Sequence, residues 1–162
     1  MTAQTGRTVP EFTRFIIHDG TLLRSLAIKT LSAVGVKYDE HTELVAWMDA
    51  VKGALAGMPD APIEADFIWS TLAVAAIPAE SGSHTVLSVL AAEHATPRSL
   101  DIQFGIRHVW EAGEPQFGIT SSATSGYIVT SYVVNPADGS CHASFKLVPG
   151  SALPAWGIAA ET

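Results

Sequence analysis

The sequence predicts an α+β domain, with two N-terminal helices packed on a curved antiparallel meander sheet of about five to six strands. Three observations carry that expectation. Between Leu100 and Val148, short runs alternate apolar with polar residues and are parted by Gly, Pro, Asn and Asp, which is the pattern of half-buried strands. Two earlier segments, Asp19–Val34 and one starting at Asp39, repeat apolar residues at spacings of three and four, the mark of amphipathic helices. A hydrophobic fraction of 48% over 162 residues is enough to build one packed core.

In chain order, residues 1–10 read as an N-terminal arm ending at Pro10, and the whole of 1–162 reads as a single domain. Glu11–His18 supplies a first strand through Phe12 and Phe15 to Ile17. Asp19 is an N-cap candidate for a helix through Val34, with Leu23, Leu26, Leu31 and Val34 on one face and Gly35 as its stop. In the second helix Leu44, Met48, Val51 and Leu55 form the stripe, and Gly57 with Pro59 ends it. Phe67–Ile77 is apolar all round, so periodicity does not separate strand from helix there. Thr85–Ala92 leans towards strand, because Ala95–Ser99 suits a hairpin into Leu100. The meander follows as Asp101–Trp110, Gln116–Ser121, Tyr127–Asn135 and Cys141–Val148, and Pro154 and Gly157 keep the short tail 150–162 from forming a long helix.

This order of elements is helix-grip-like if both middle segments are strands, and hot-dog-like if Phe67–Ile77 is a helix. Both are analogies of element order, and neither fixes a function.

The net charge of −7 and the scattered Lys and Arg argue against nucleic acid as a partner, since phosphate binding needs clustered cations. No apolar run reaches the ~18 residues a spanning helix needs, so no membrane partner is expected. A single cysteine and the lack of a signal-peptide pattern lead to the expectation of a cytoplasmic location. No glycine-rich phosphate loop and no zinc spacing is present, so neither cofactor nor metal is expected.

If every turn of the meander keeps the apolar side inward, Trp110, Phe117, Val133 and Ala143 form one row. His108, Ile119, Ser131 and Phe145 form the next, followed by Ile106, Ser121, Val129 and Leu147. His108 then lies in an apolar concavity with Trp110, Phe117, Ser121 and Ser131, a setting for a small apolar ligand or for a general base. The plainer reading is a core or rim histidine bonded to a neighbour. His84 joins this face in one strand register and leaves it in the other. Cys141 and His142 are adjacent on a strand and point to opposite faces, so they do not form a nucleophile and its base.

The outward face of the late strands, with Ile128, Tyr132, Val134 and Val148, is too apolar to stand in water, so either the tail with Trp156 or a second subunit is expected to cover it. Two functions follow. One is a domain that binds a small hydrophobic molecule, with His108 as its catalytic residue if it is an enzyme. The alternative is a non-enzymatic structural or interaction subunit that self-associates through its sheet. A homo-oligomer is expected under both.

Overall fold

A computed structural model of the chain describes residues 12–44, 53–105, 111–119, 126–148 and 153–158. β1 (Thr13–His18) and β2 (Leu23–Leu26) form an antiparallel hairpin with His18 opposite Leu23. Asp19 closes the turn. Its Oδ1 accepts the backbone N–H groups of Thr21 at 2.7 Å and Leu22 at 2.8 Å, and Gly20 takes φ of 101°. A helix N-cap would use the same side-chain bonds, so a carboxylate at this position signals both structures. Here Gly20, in the left-handed region, turns the chain back and the helix over Asp19–Val34 does not form.

Ala27 is a corner. Before it, Leu26 lies opposite Phe15 in one sheet; after it, Ile28 of β3 (Ile28–Leu31) lies opposite Phe67 of β6 (Ile63–Ile68) in another. The register of β3 slips again between Ile28 and Thr30. Corner and bulge each reset the two-residue alternation. Leu23, Leu26 and Leu31 thus fall at helical spacing on an extended chain. The second expected helix is also absent over its described parts. β4 (Lys37–Leu44) pairs antiparallel with β5 (Gly53–Asp60) as a two-stranded ribbon. Residues 45–52 lie outside the described residues.

The ambiguous stretch from Phe67 ends its strand at Ile68 and continues as irregular chain to Gly82. Side chains pin it: Arg24 Nη1 donates to the Ala75 carbonyl at 2.9 Å, and Ser81 Oγ accepts the Ala75 N–H at 2.9 Å. The expected strand over Thr85–Ala92 is the helix α1 (Ser83–Ala92). Val86, Leu87 and Leu90 share one helical face and are buried, whereas the period-two set includes Val89, which is exposed.

β7 (Leu100–Phe104), β8 (Pro115–Gly118), β9 (Tyr127–Asn135) and β10 (Ser140–Leu147) form two hairpins in different sheets. One sheet has the order β11-β8-β7-β1-β2, closed by β11 (Ala155–Ile158); the other runs β3-β6-β10-β9. All these pairings are antiparallel. The described residues form a two-sheet sandwich with one helix, which corrects both the two-helix domain and the four-strand meander.

Phe15 joins the layers. Its ring meets Phe67 edge-on at 4.9 Å and Phe145 at 5.4 Å. Leu26, Ile102 and Phe117 continue the row on one sheet, Ile63, Ala65 and Ala143 face them from the other, and α1 adds Leu87 and Leu90. Each buried aromatic ring contributes roughly 1.5–3 kcal/mol over its exposed state. A second seam joins the sheets where Arg98 and Tyr127 exchange two backbone hydrogen bonds at 2.8 Å.

Candidate assembly surface

The middle of the five-stranded sheet, β1 and β7, is buried on both faces. Behind the row of Phe15 and Ile102 lie Arg14, Ile16, Asp101, Gln103 and Gln116, placed by register on the opposite face. Asp101 is 4% exposed and Glu114 5% exposed. Gln103 Nε2 donates to Glu114 Oε2 at 3.0 Å, and Gln116 bonds Asp101. Among the described residues, Oδ1 of Asp101 and Oε1 of Glu114 accept no hydrogen bond. Burial pushes the Asp101 carboxyl up to about 6, against the smaller opposing pull of Gln116. Buried polar groups of this kind fix pairing register more than they add stability.

A second cluster links α1 to the four-stranded sheet. His84 Nδ1 shares a 2.6 Å hydrogen bond with Tyr132 Oη, and the His84 ring lies between those of Trp69 (5.7 Å) and Tyr132 (6.1 Å). Beneath it, Ser83 Oγ and Cys141 Sγ approach to 3.6 Å, with the thiol fully buried. Burial and then the neighbouring Cys141 raise the Tyr132 phenol above its usual range. The cluster fastens the helix to the sheet.

The third cluster has the composition of a catalytic triad. Asp66 Oδ1 meets His142 Nδ1 at 2.7 Å, and Ser144 Oγ lies 3.4 Å from His142 Nε2. Acyl transfer also needs a pair of free backbone N–H donors at the nucleophile. β10 is paired with β6 on one side and β9 on the other, so its backbone donors serve the two ladders. The group is a row of cross-strand polar contacts on a sheet surface, extended by Thr30 Oγ1 to Asp66 Oδ2 at 2.7 Å. Thr30 first, and then His142, hold the Asp66 carboxyl below its ordinary value against desolvation. No group of three His, Cys, Asp or Glu among the described residues is placed to hold a metal ion.

Among the described residues, what remains open are sheet edges. β9 ends the four-stranded sheet and runs nine residues, Tyr127–Asn135, with no charged side chain or proline and with Val133 exposed; Arg98 takes the edge at Tyr127, and it is open beyond that residue. β11 ends the other sheet. Its four residues, Ala155–Ile158, are all exposed and uncharged, Trp156 at 58% and Ile158 at 74%. Open edges are normally guarded by Lys, Pro or covering chain, because their unpaired N–H and C=O groups template pairing with other chains. A strip of exposed Ile68, Trp69, Leu72 and Val74 runs beside α1.

Of the residues singled out from sequence, the described ones, His84, Phe117 and Ser131, do not share a face. His108, Trp110 and Ser121 lie outside the described residues. Phe117 is fully buried in the core, His84 is on α1, and Ser131 is exposed on β9. Among the described residues, the segments expected to form the helical wall of the apolar concavity are strands. Ser131 was displaced by a bulge: Phe145 lies opposite Val129 but Ser144 lies opposite Ser131, so Thr130 is extra. Beyond it Tyr132 and Val134, not Ser131 and Val133, share a face with buried Ala143 and Cys141. Cys141 points inward and His142 lies on the opposite side, as alternation requires. Trp156 folds back onto Phe117 (5.0 Å) and Phe104 (5.6 Å) of the five-stranded sheet, not onto the late strands. The two open edges had a readable signal in the uncharged runs 127–135 and 155–158. The buried Asp101 and Glu114 had none.

No protein-family model matches the sequence, and no curated protein does. Among solved structures, a chain of the six-fold symmetrised cryo-EM structure of the anti-feeding prophage baseplate superposes with a TM-score of 0.57. The fold is shared with a baseplate chain. The match covers 95% of this chain and 97% of that one at 5% identity, so it speaks for the fold alone. Among the described residues no helix is long and apolar enough to cross a membrane, a statement that does not extend to β-barrels.

Proposed function

We propose that this chain is a non-enzymatic structural subunit that self-associates into a multi-subunit protein assembly through the edges of its sheets. The observation that carries the reading is the pair of edges, β9 and β11, that the described residues leave unguarded and that carry no charge on a chain whose net charge is −7. Acidic surfaces repel one another, so contact between copies falls on the stretches that carry none. The ribbon β4–β5 supports the same reading. Among the described residues it pairs with neither large sheet, and an isolated two-stranded hairpin is marginal in water, so a neighbouring surface would steady it. The likeness in fold to a chain of a six-fold symmetrised baseplate adds support.

Two different edges per subunit imply a heterologous contact, which closes into a ring or propagates as a filament. Size-exclusion chromatography with light scattering, followed by negative-stain microscopy, tests this. Rings or filaments of defined repeat are the expected result. A chain that stays monomeric at its solubility limit overturns the proposal.

A further inference from the structure

The geometry points to β11 as an exchanged strand: in the assembly, Ala155–Ile158 of one copy pairs with β8 of the next copy instead of its own. This deepens the assembly reading above and rests on it.

β11 belongs only weakly to its own chain. It forms one ladder, four residue pairs from Ala155 opposite Gly118 to Ile158 opposite Pro115, and every residue in it is exposed. Its aromatic anchor is Trp156. The Trp156 indole lies over the fully buried Phe117 ring at 5.0 Å and beside Phe104 at 5.6 Å, extending the core row Leu26–Phe15–Ile102–Phe117 by one position at the sheet edge.

The connection points the same way. β11 follows β10, which lies in the other sheet, between β6 and β9. Seven residues, 148–154, separate β10 from β11 in the sequence, a length whose reach is at most about 23 Å. That reach suits an adjacent subunit as well as the chain's own β8.

Exchange remakes identical contacts. The β8 edge of the neighbour offers the same four partners and the same Phe117 face, so open and closed forms differ only in connection strain and in the entropy of bringing two copies together. Assembly through the β9 edge or the β4–β5 ribbon has already met that entropy, and a tethered neighbour presents its β8 at an effective concentration of order millimolar. Under those conditions a strand held by an indole and one ladder partitions between copies.

Disulfide trapping tests the exchange. Gln116 and Gly157 are direct partners in the β8–β11 ladder, a Cβ at Gly157 meets open space, and directly opposed strand residues lie within disulfide range. The native Cys141 is fully buried and stays out of the reaction. Full-length chains carrying Gln116→Cys alone and Gly157→Cys alone, distinguished by size tags, are assembled together and oxidised mildly. Exchange yields the mixed covalent dimer, about tenfold above the yield from the same chains held dilute and monomeric, where effective concentration gives no advantage. The chain carrying both cysteines should give an interchain ladder when assembled and an internal crosslink when dilute.

Particles that form normally but whose doubly substituted chain crosslinks only internally overturn exchange and leave the assembly reading standing. Chains that never assemble overturn both. Trp156→Ala provides a second measurement that needs no new cysteine. With the anchor gone, particles should already dissociate at protein concentrations where native particles remain intact if β11 bridges copies, and should be unaffected if it closes on its own chain.

Discussion

The substitution Asp101→Asn should stabilise the folded chain at neutral pH. In the native protein burial raises this carboxyl from its ordinary 3.8 to about 6. An unfolded chain loses the proton near 3.8, whereas the native chain holds it until about 6, so between those values the native state binds more protons. Stability from this group is therefore fully present below pH 4, falls as pH rises through 6, and is flat above. At ~1.36 kcal/mol per pH unit the loss amounts to about 3 kcal/mol. The substituted amide would keep a hydrogen bond to Gln116 and carry no charge to desolvate. At pH 7 the variant should melt higher by roughly 6–12 °C, taking 2–4 °C per kcal/mol for a chain of this size. Melting both proteins from pH 4 to pH 8 by circular dichroism isolates the effect, because the opposite contributions of Asp19 and Asp66, whose carboxyls are held low, cancel in the difference. Parallel curves for the two proteins would refute the reasoning.

Three further outcomes are expected. Gly118→Ala should destabilise the fold by about 3 kcal/mol or more in urea denaturation, because a Cβ there would run into the Leu100 carbonyl oxygen and the Asp101 carboxylate. Tyr132→Phe removes the hydroxyl bonded to His84 and should cost about 1 kcal/mol by the same assay, with the far-ultraviolet spectrum unchanged. Ile158→Lys and Val133→Lys each place a charge on an open edge; both should leave the melting temperature of the isolated subunit within a degree or two while shifting the scattering mass towards monomer.

Much of the strand content was legible, and the arrangement was not. Turn residues on either side, Ala123–Gly126 and Pro136–Gly139, frame Tyr127–Asn135 so that its bounds coincide with β9, and Cys141–Val148 misses β10 by one residue at each end. What alternation cannot encode is which strand lies beside which, and so two hairpins in two sheets read as one meander. The helical errors have a local origin. Asp19 offers the same acceptor to a helix start and to a tight turn, and Gly20 at φ 101° tips the choice. The corner at Ala27 and the slip after Ile28 each insert half a period, which turns an extended apolar pattern into one with helical spacing. The bulge at Thr130 does the same to the predicted site, moving Ser131 off the inner face. Residues 84–92 satisfied both periods at once, and burial of Val86, Leu87 and Leu90 against the sheets decided for helix.

The ribbon β4–β5 leaves and re-enters the sandwich through β3 and β6, strands that are already hydrogen-bonded to each other at Leu31 and Ala65. Its root is thus sealed, and the layers beneath do not register how far it extends. Adding or removing one facing residue from each strand would change its span by about 3.4 Å while leaving every core neighbour in place. Such a module lets evolution retune how far one subunit stretches without renegotiating the body that bears it.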